Sequence, residues 1–254
     1  MVPNARRVWG LAAAMTASIM LTACANGPVA PPSSDGHVVN RQLSPAVKRA
    51  VLVDQKGKRF TLGSLAGKNV FISPFLTLCA DVCPFTTGNL AQVQASLDAA
   101  KQAGQTRIIE FTVDPGRDSV RRLAAYARSN GITWTLARSD KAGTAAMIKY
   151  FGYTAITRPL AHSKVIDPLT RLPTTYDVAH SDGYVIIDTN GTVRFVNAAT
   201  PHFHGILPAK LRAFLSREGL NTLVKPDPRG WRPPGALAAL SWVTGTEIPV
   251  VPIK

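Results

Sequence analysis

Acidic residues are scarce in this sequence, with 15 Asp and Glu against 29 Lys and Arg, so the formal net charge is +14. An excess of this size attracts nucleic acid, an anionic membrane surface or an acidic protein. The chain lacks, however, a basic cluster interleaved with aromatic residues, and its basic residues are scattered. That absence disfavours a nucleic-acid partner and favours a lipid surface or an acidic protein.

A continuous apolar run of membrane-spanning length is also lacking near the N-terminus. The run at 8–21 follows Arg6 and Arg7 and is shorter than the ~20 apolar residues of a membrane span. It has the character of a signal-peptide core, and it ends in Leu-Thr-Ala-Cys at 21–24, which resembles a bacterial lipobox. An uncleaved signal anchor with an incidental cysteine is the alternative. We expect an exported lipoprotein, acylated at Cys24 and held on the outer face of the bacterial cell membrane.

Cysteine is rare as well, and only Cys79 and Cys83 remain if Cys24 carries lipid. An exported protein meets oxidising conditions, so two thiols this close together need a reason. A bridge between them would close a very small loop and would therefore stabilise the fold little. The pair thus indicates chemistry, either metal binding or disulfide exchange.

The predicted elements alternate in a way that is typical of an α/β sandwich with a mixed central sheet flanked by helices. The turn signal Thr189-Asn190-Gly191 predicts a C-terminal β-hairpin, followed by a last helix. We predict Asp118 as a helix N-cap. The strands are expected at 51–53, 59–61, 69–72, 108–113, 133–136, 184–187 and 193–196. The helices are expected between Pro84 and Gly104 and at 119–130, 142–151 and 208–217.

The chain divides into four predicted segments. Residues 1–23 form the signal peptide, and 24–44, rich in Pro, Ala, Ser and Gly, form a flexible tether. A single domain follows at 45–219. Six prolines interrupt 220–254, which predicts an irregular or loosely packed tail.

The two cysteines lie in the loop after the central strand. Pro84 suits the first turn of the next helix, so Cys83 is expected at the helix N-terminus, where the free N–H groups favour its thiolate and lower its pKa. Residues four apart share one helical face, so both sulfurs can point at one ion. Two thiolates are soft ligands that suit Cu(I) and also Zn(II).

A third metal ligand must come from elsewhere, and the chain has five histidines. His180 lies just before the strand at 184–187, where a loop at the sheet end can meet the cysteine loop. His37 falls in the tether and His162 in a long loop. The pair His202 and His204 could bind Cu(II), although such a pair is more often a solvated loop.

Three motifs follow one another along the chain: Cys-Ala-Asp-Val-Cys-Pro at 79–84, Asp-Pro-Gly-Arg-Asp at 114–118 and His-Ser at 180–181. They resemble motifs of the Sco/SenC family, copper chaperones for the assembly of cytochrome c oxidase. The segment 79–84 resembles its Cys-Pro-Asp-Val-Cys-Pro motif, 114–118 its Asp-Pro-x-Arg-Asp turn, and His180-Ser181 the segment with its histidine ligand. The resemblance covers about 54–217. It implies a thioredoxin-like fold, copper bound by Cys79, Cys83 and His180, and delivery to the binuclear copper site of a respiratory oxidase by a monomer that catalyses no turnover.

The chain departs from the family pattern at two positions. Ala80 replaces the usual proline, which is expected to loosen the loop, and Ala179 replaces the usual aspartate before the histidine. Asp177 or Asp182 can then orient the imidazole. The segments 158–176 and 220–254 are further differences.

Other roles stay open at this stage. A thiol-disulfide oxidoreductase that reduces the target cysteines is the alternative function, although its usual spacing is Cys-x-x-Cys. An interaction module that merely keeps the fold is a third possibility. Asp81 is either a helix N-cap or part of the site. Asp114 and Arg117 are expected to stabilise a turn.

Overall fold

The computed structural model describes residues 27–160, 165–167, 169–203 and 205–252. Several predictions fall outside these residues: the signal peptide, Cys24, His162 and His204. Within the described ranges, no helix has the length and apolar character needed to cross a membrane.

In the part of the chain that the structure describes, ten strands form two sheets. Their bounds are β1 His37–Gln42, β2 Val51–Asp54, β3 Arg59–Thr61, β4 Asn69–Phe75, β5 Thr106–Thr112, β6 Thr135–Arg138, β7 Ala155–Pro159, β8 Tyr176–His180, β9 Tyr184–Ile187 and β10 Thr192–Asn197. The large sheet has the order β1-β10-β9-β4-β5-β6-β2-β3, and β7 and β8 form a separate antiparallel pair. Only β4, β5 and β6 are parallel to one another in the described part of the large sheet, so it is mixed.

Seven α-helices accompany the strands in the described chain. They are α1 Pro45–Arg49, α2 Cys83–Ala99, α3 Val120–Asn130, α4 Lys141–Phe151, α5 Ala209–Arg212, α6 Arg217–Val224 and α7 Pro233–Thr244. Together with the mixed sheet they confirm the predicted thioredoxin-like α/β sandwich, including its β9–β10 hairpin.

The central strand β4 separates two apolar cores. Every residue of β4 is buried, and its side chains alternate between the faces as a pleated strand requires. Phe71 and Phe75 join the core under α2, α3 and α7, whereas Val70 and Ile72 join the core under α1 and α4. The short apolar run in the sequence is therefore a strand covered on both sides.

The predicted tether at 24–44 is wrong over β1, which pairs antiparallel with β10 at the sheet edge. Almost all of its side chains are exposed, so the strand shows no apolar pattern in the sequence. Its pairing rests on backbone hydrogen bonds, which the residue types do not reveal. The chain is thus already part of the sheet at His37.

The predicted loose tail is wrong as well, because α7 packs on α2 and on β9. Pro233 and Pro234 occupy the first turn of α7, where a missing N–H costs no hydrogen bond. Leu237 and Leu240 are fully buried in the core. These two prolines begin a helix and do not prevent one.

Two helix ends also differ from the prediction. The helix expected at 208–217 ends at Arg212, and a separate helix begins at Arg217 with Ser216 as its N-cap. Ser119, and not Asp118, caps α3 by accepting a hydrogen bond from the Arg122 N–H at 3.3 Å. Asp118 is buried, and its carboxylate instead contacts Thr77, Thr112 and Arg122.

Candidate metal centre

The loop between β4 and α2 carries both cysteines. Cys83 is the first residue of α2 and Pro84 the second, as the sequence predicts. The Cys83 backbone N–H points back at the Cys79 Sγ, 3.4 Å away. Both thiols are free; Cys83 is buried and Cys79 is half-buried. The helix start therefore brings the two sulfurs to one side of the loop.

His180 reaches these sulfurs from the end of β8. The β7–β8 pairing places His180 opposite Ala155, and its Nδ1 lies 2.9 Å from the Ser181 carbonyl oxygen. Its Nε2 then faces the Cys83 Sγ at 3.5 Å. One ligand atom from each of Cys79, Cys83 and His180 lies within 4.8 Å of the other two. This group could hold a metal ion, and its two sulfurs and one imidazole nitrogen suit a soft or borderline cation.

Of the two aspartates predicted to orient the ring, Asp182 is the one beside it. Its Oδ1 lies 3.9 Å from His180 Nδ1, and burial raises the pKa of this carboxyl to about 6. Asp177 instead accepts the Val178 N–H at 2.8 Å. The direct partner of the ring is thus a backbone carbonyl, with a carboxylate close behind it.

The sequence predicts a lowered pKa for Cys83, but in the structure the thiolate is on Cys79. The hydrogen bond from Cys83, helped by that from His180, holds the pKa of the Cys79 thiol well below its usual range, although burial opposes this. Burial and then the Cys79 thiolate raise the pKa of Cys83 well above its usual range. The first backbone N–H of α2, which points at the Cys79 Sγ, adds a smaller stabilisation to this upstream sulfur.

His180 is protonated beside this thiolate. Burial lowers the pKa of the imidazole, but the hydrogen bond and charge of Cys79 outweigh that effect and raise the pKa to about 9. Without metal, the site is therefore a Cys79 thiolate and a His180 imidazolium, with Cys83 as a neutral thiol.

The turn at 114–118 is bonded to the start of β8, the strand that carries His180. Asp114 and Arg117 therefore stabilise a turn, as predicted, and also help to position the site. The Arg117 Nε lies 3.3 Å from the Asp114 Oδ2, and the Arg117 guanidinium donates to the Tyr176 carbonyl at 2.6 Å. The Tyr176 hydroxyl in turn donates to Asp114 Oδ1 at 3.0 Å. Because Tyr176 begins the strand that ends at His180, these bonds position the histidine. The sequence offered no signal for Tyr176.

Asp118 holds the N-terminal end of the loop between β4 and α2, ahead of Cys79. Its carboxylate accepts the Thr77 N–H at 3.1 Å and the Thr112 hydroxyl at 2.5 Å, and Arg122 lies 3.3 Å from it. Thr77 precedes Cys79 by two residues, so a buried carboxylate ties the loop to the end of β5.

Two further candidates from the sequence take structural roles. Asp81 is no N-cap, because Val82 occupies that position without a side-chain bond, and the Asp81 carboxylate accepts the Ser216 hydroxyl. His202 is buried, so the solvated-loop interpretation is wrong for it. Its Nδ1 lies 2.7 Å from the Asp227 carbonyl oxygen, which ties it to the C-terminal segment.

A cleft of about 440 Å³ opens beside the metal-binding group. Cys79 and His180 line it, together with Arg158, Asp177 and Ser216. Cys79 is the more accessible of the two sulfurs, so the cleft is the side from which another molecule can reach the site.

Comparisons with known proteins agree with this architecture. A "Putative copper-binding protein" of Stutzerimonas stutzeri is 23% identical over 154 residues, which are 59% of this chain and 67% of that protein. The "SCO1 protein homolog" of Bacillus subtilis (strain 168) is 32% identical over 93 residues, 36% of this chain and 47% of the relative. A crystal structure of an Aquifex aeolicus VF5 protein shares the fold, with a TM-score of 0.51 and 19% identity, over 68% of this chain and 92% of that one.

The family assignment rests on a match that covers most of the sheet and the metal-binding group. A model of one protein family matches residues 40–204, a stretch that contains the second half of β1, all of β2 to β10, both cysteines and His180. The match leaves α5, α6 and α7 outside it. Because it covers more than half of the 254 residues, the chain belongs to the SCO1/SenC family.

Proposed function

We propose that this protein is a membrane-attached copper chaperone that delivers copper to the binuclear copper site of cytochrome c oxidase during assembly of the enzyme. The observation that carries the proposal is the convergence of Cys79 Sγ, Cys83 Sγ and a His180 ring nitrogen within 4.8 Å. Thiolate sulfur favours Cu(I), and imidazole accepts either copper oxidation state. The copper-binding name of the Stutzerimonas stutzeri relative and the family membership support the same metal.

Copper is the cargo of this site, and the chain's own residues load and release it. The Cys79 thiolate is charged before copper arrives and lies in the cleft, so it makes the first bond. Cys83 and His180 complete the site by giving up a proton each. Release to an acceptor follows by ligand exchange, in which the acceptor's thiolates replace the sulfurs one at a time. No substrate is turned over, so the protein is not an enzyme in this role.

The proposal includes attachment through lipid on Cys24, with the domain as a monomer on the outer face of the cell membrane. The sequence at 21–24 and the apolar run before it support this attachment. The excess of basic residues supports an acidic acceptor protein or an anionic lipid surface nearby.

One observation favours a second candidate, a thiol-disulfide oxidoreductase. Cys79 is a stabilised thiolate and Cys83 a free thiol beside it, which is the pairing that disulfide exchange needs. The position of His180 favours the chaperone, because disulfide exchange has no obligatory imidazole and a metal site of two sulfurs needs a third donor.

The test is copper stoichiometry of the reduced full-length protein, measured anaerobically by competition with a Cu(I) chelator. We expect one copper per chain for the wild type and none for Cys79→Ser or Cys83→Ser. His37→Ala changes an exposed side chain of β1 and is the control, which should still bind one copper. The loaded protein should also transfer copper to the reduced apo form of the oxidase subunit. Unchanged binding by both serine variants would place the copper elsewhere and overturn the proposal.

A further inference from the structure

The loop at 80–82, between the two cysteines, is hydrogen-bonded to the N-terminal end of α6. The Ser216 N–H donates to the Ala80 carbonyl at 2.8 Å, and the Ser216 hydroxyl donates to the Asp81 carboxylate. Ser216 is also the N-cap of α6, because its hydroxyl oxygen accepts the Gly219 N–H at 3.1 Å. One residue thus joins the start of α6 to the loop through both backbone and side chain.

Gly219 makes this contact close. It is the buried residue of α6, and a Cβ built on it would lie 2.5 Å from the Ala80 carbonyl oxygen and 3.0 Å from that of Asp81. Real Cβ atoms do not approach backbone oxygens so closely, so any side chain at this position would push the helix off the loop. Glycine normally weakens a helix interior by about 1 kcal/mol relative to alanine. Its presence in α6 is therefore explained by the close packing against the loop and not by helix stability.

Apolar contacts hold the same segment on its other side. Val82 packs with Leu215 and Leu223 against a small cluster that α2 and the C-terminal segment share. The members of that cluster are Phe85, Phe203, Leu207 and Leu211. All three residues between the cysteines therefore contact a part of the chain that lies mostly beyond the family match, which ends at residue 204.

We propose that Ser216 and Gly219 are positioning residues for the metal site, which hold the loop at 80–82 so that Cys79 and Cys83 keep the spacing a metal ion needs. The chain has Ala80 where the family motif has proline, and proline would restrict the backbone at that point. The contacts of Ser216 and Gly219 with Ala80 and Asp81 restrain the loop backbone from outside the loop. Preorganised ligands bind more tightly because less conformational freedom is lost on binding.

The inference rests on the proposed copper function, so its test has one arm without copper. Hydrogen exchange of the peptide that spans 78–85 is measured in the metal-free protein for Ser216→Ala and Gly219→Ala. Both variants should exchange faster there than the wild type, because the loop loses its external partner. Ser216→Thr retains a hydroxyl and should restore most of the protection.

Two control variants match the chemistry of the changes. Ser44→Ala removes the N-cap of α1, whose hydroxyl accepts the Val47 N–H at 3.3 Å, and Gly104→Ala adds a methyl group where nothing lies within 4 Å. Neither control should change exchange at 78–85, and thermal unfolding of all variants reports any general loss of stability.

The second arm measures Cu(I) affinity by chelator competition. Loss of groups that orient metal ligands typically weakens binding about 10–100-fold, and we expect a loss in this range for Ser216→Ala and Gly219→Ala. The controls should bind as the wild type does. Faster exchange with unchanged affinity, or equal affinity losses in the controls, would overturn the positioning role. A wild type that binds no copper would refute the chaperone proposal instead, while the exchange arm would still report whether α6 restrains the loop.

Discussion

The protonation state of the site predicts how copper affinity depends on pH. Below a pH of about 9, His180 carries a proton, and Cys83 is a thiol whose pKa is well above the usual range. Cys79 is already a thiolate, since its pKa is held low. Binding through both sulfurs and the imidazole must release two protons, one from Cys83 and one from His180. The apparent Cu(I) association constant should therefore rise about 100-fold per pH unit between pH 6 and 8.

Substitution of His180 by alanine changes both the size and the slope of this dependence. The variant lacks a ligand, so its affinity at pH 7 should fall by at least the 10–100-fold that loss of an orienting partner costs. It should release only the Cys83 proton, because the bond from Cys83, the largest influence that lowers the Cys79 pKa, remains. The slope should thus fall to about tenfold per pH unit.

The assay is competition with a Cu(I) chelator at pH 6, 7 and 8, with a glutathione redox titration of the same samples. His37→Ala is the control, because His37 is exposed on the edge strand β1, whereas His180 ends β8. His180→Ala should still form and reduce the Cys79–Cys83 disulfide. A variant with wild-type affinity and slope would show that the imidazole is no ligand. If disulfide exchange also collapsed, the oxidoreductase would become the better assignment.

Two further predictions concern the anchor and the core. Cys24→Ala should abolish incorporation of labelled fatty acid and leave an uncleaved precursor, whereas continued labelling would contradict acylation at Cys24. Burial raises the pKa of Glu110 from 4.5 to about 7, although the Trp134 Nε1–H donates to it at 2.7 Å. The folded protein keeps this proton between those values while the unfolded chain loses it, so wild-type stability should fall by about 3 kcal/mol as the pH rises through that window. Glu110→Gln should lack this contribution to the decline in urea denaturation, and an identical decline in both proteins would contradict the assignment.

The metal-binding group shows which structural details follow from local patterns. Pro84 predicts the start of α2 at Cys83 because proline suits a first helical turn, and the structure agrees. The location of the stabilised thiolate did not follow from this pattern. The Cys83 thiol is the largest influence that stabilises the Cys79 thiolate, and the loop also turns the Cys79 Sγ towards the Cys83 N–H. The start of this loop is held by Asp118, which is 41 residues away in the chain and accepts the Thr77 N–H at 3.1 Å.

The two chain ends show why local patterns fail for elements without a clear apolar period. β1 has mostly exposed side chains and is held by its backbone pairing with β10. α7 begins with two prolines, and apolar residues occur around most of its surface, so it shows no clear helical period. It packs on α2 and on the sheet. Composition rich in Pro, Ala, Ser and Gly therefore indicated a tether, and six prolines a loose tail, although the fold provides partners for β1 and for α7.

The sequence by itself determined which residues can act as ligands and how the fold is arranged around them. The spacing of Cys79 and Cys83, the apolar run of β4 and the hairpin signal at Gly191 are local features, and each depends on neighbours within a few residues. Tertiary structure alone decided the protonation of the site and the restraint of its loop. The interactions responsible join Cys79 to His180 and Ala80 to Ser216. Such pairs are far apart in the chain, so only the packing of the folded sheet and helices brings their atoms within bonding distance.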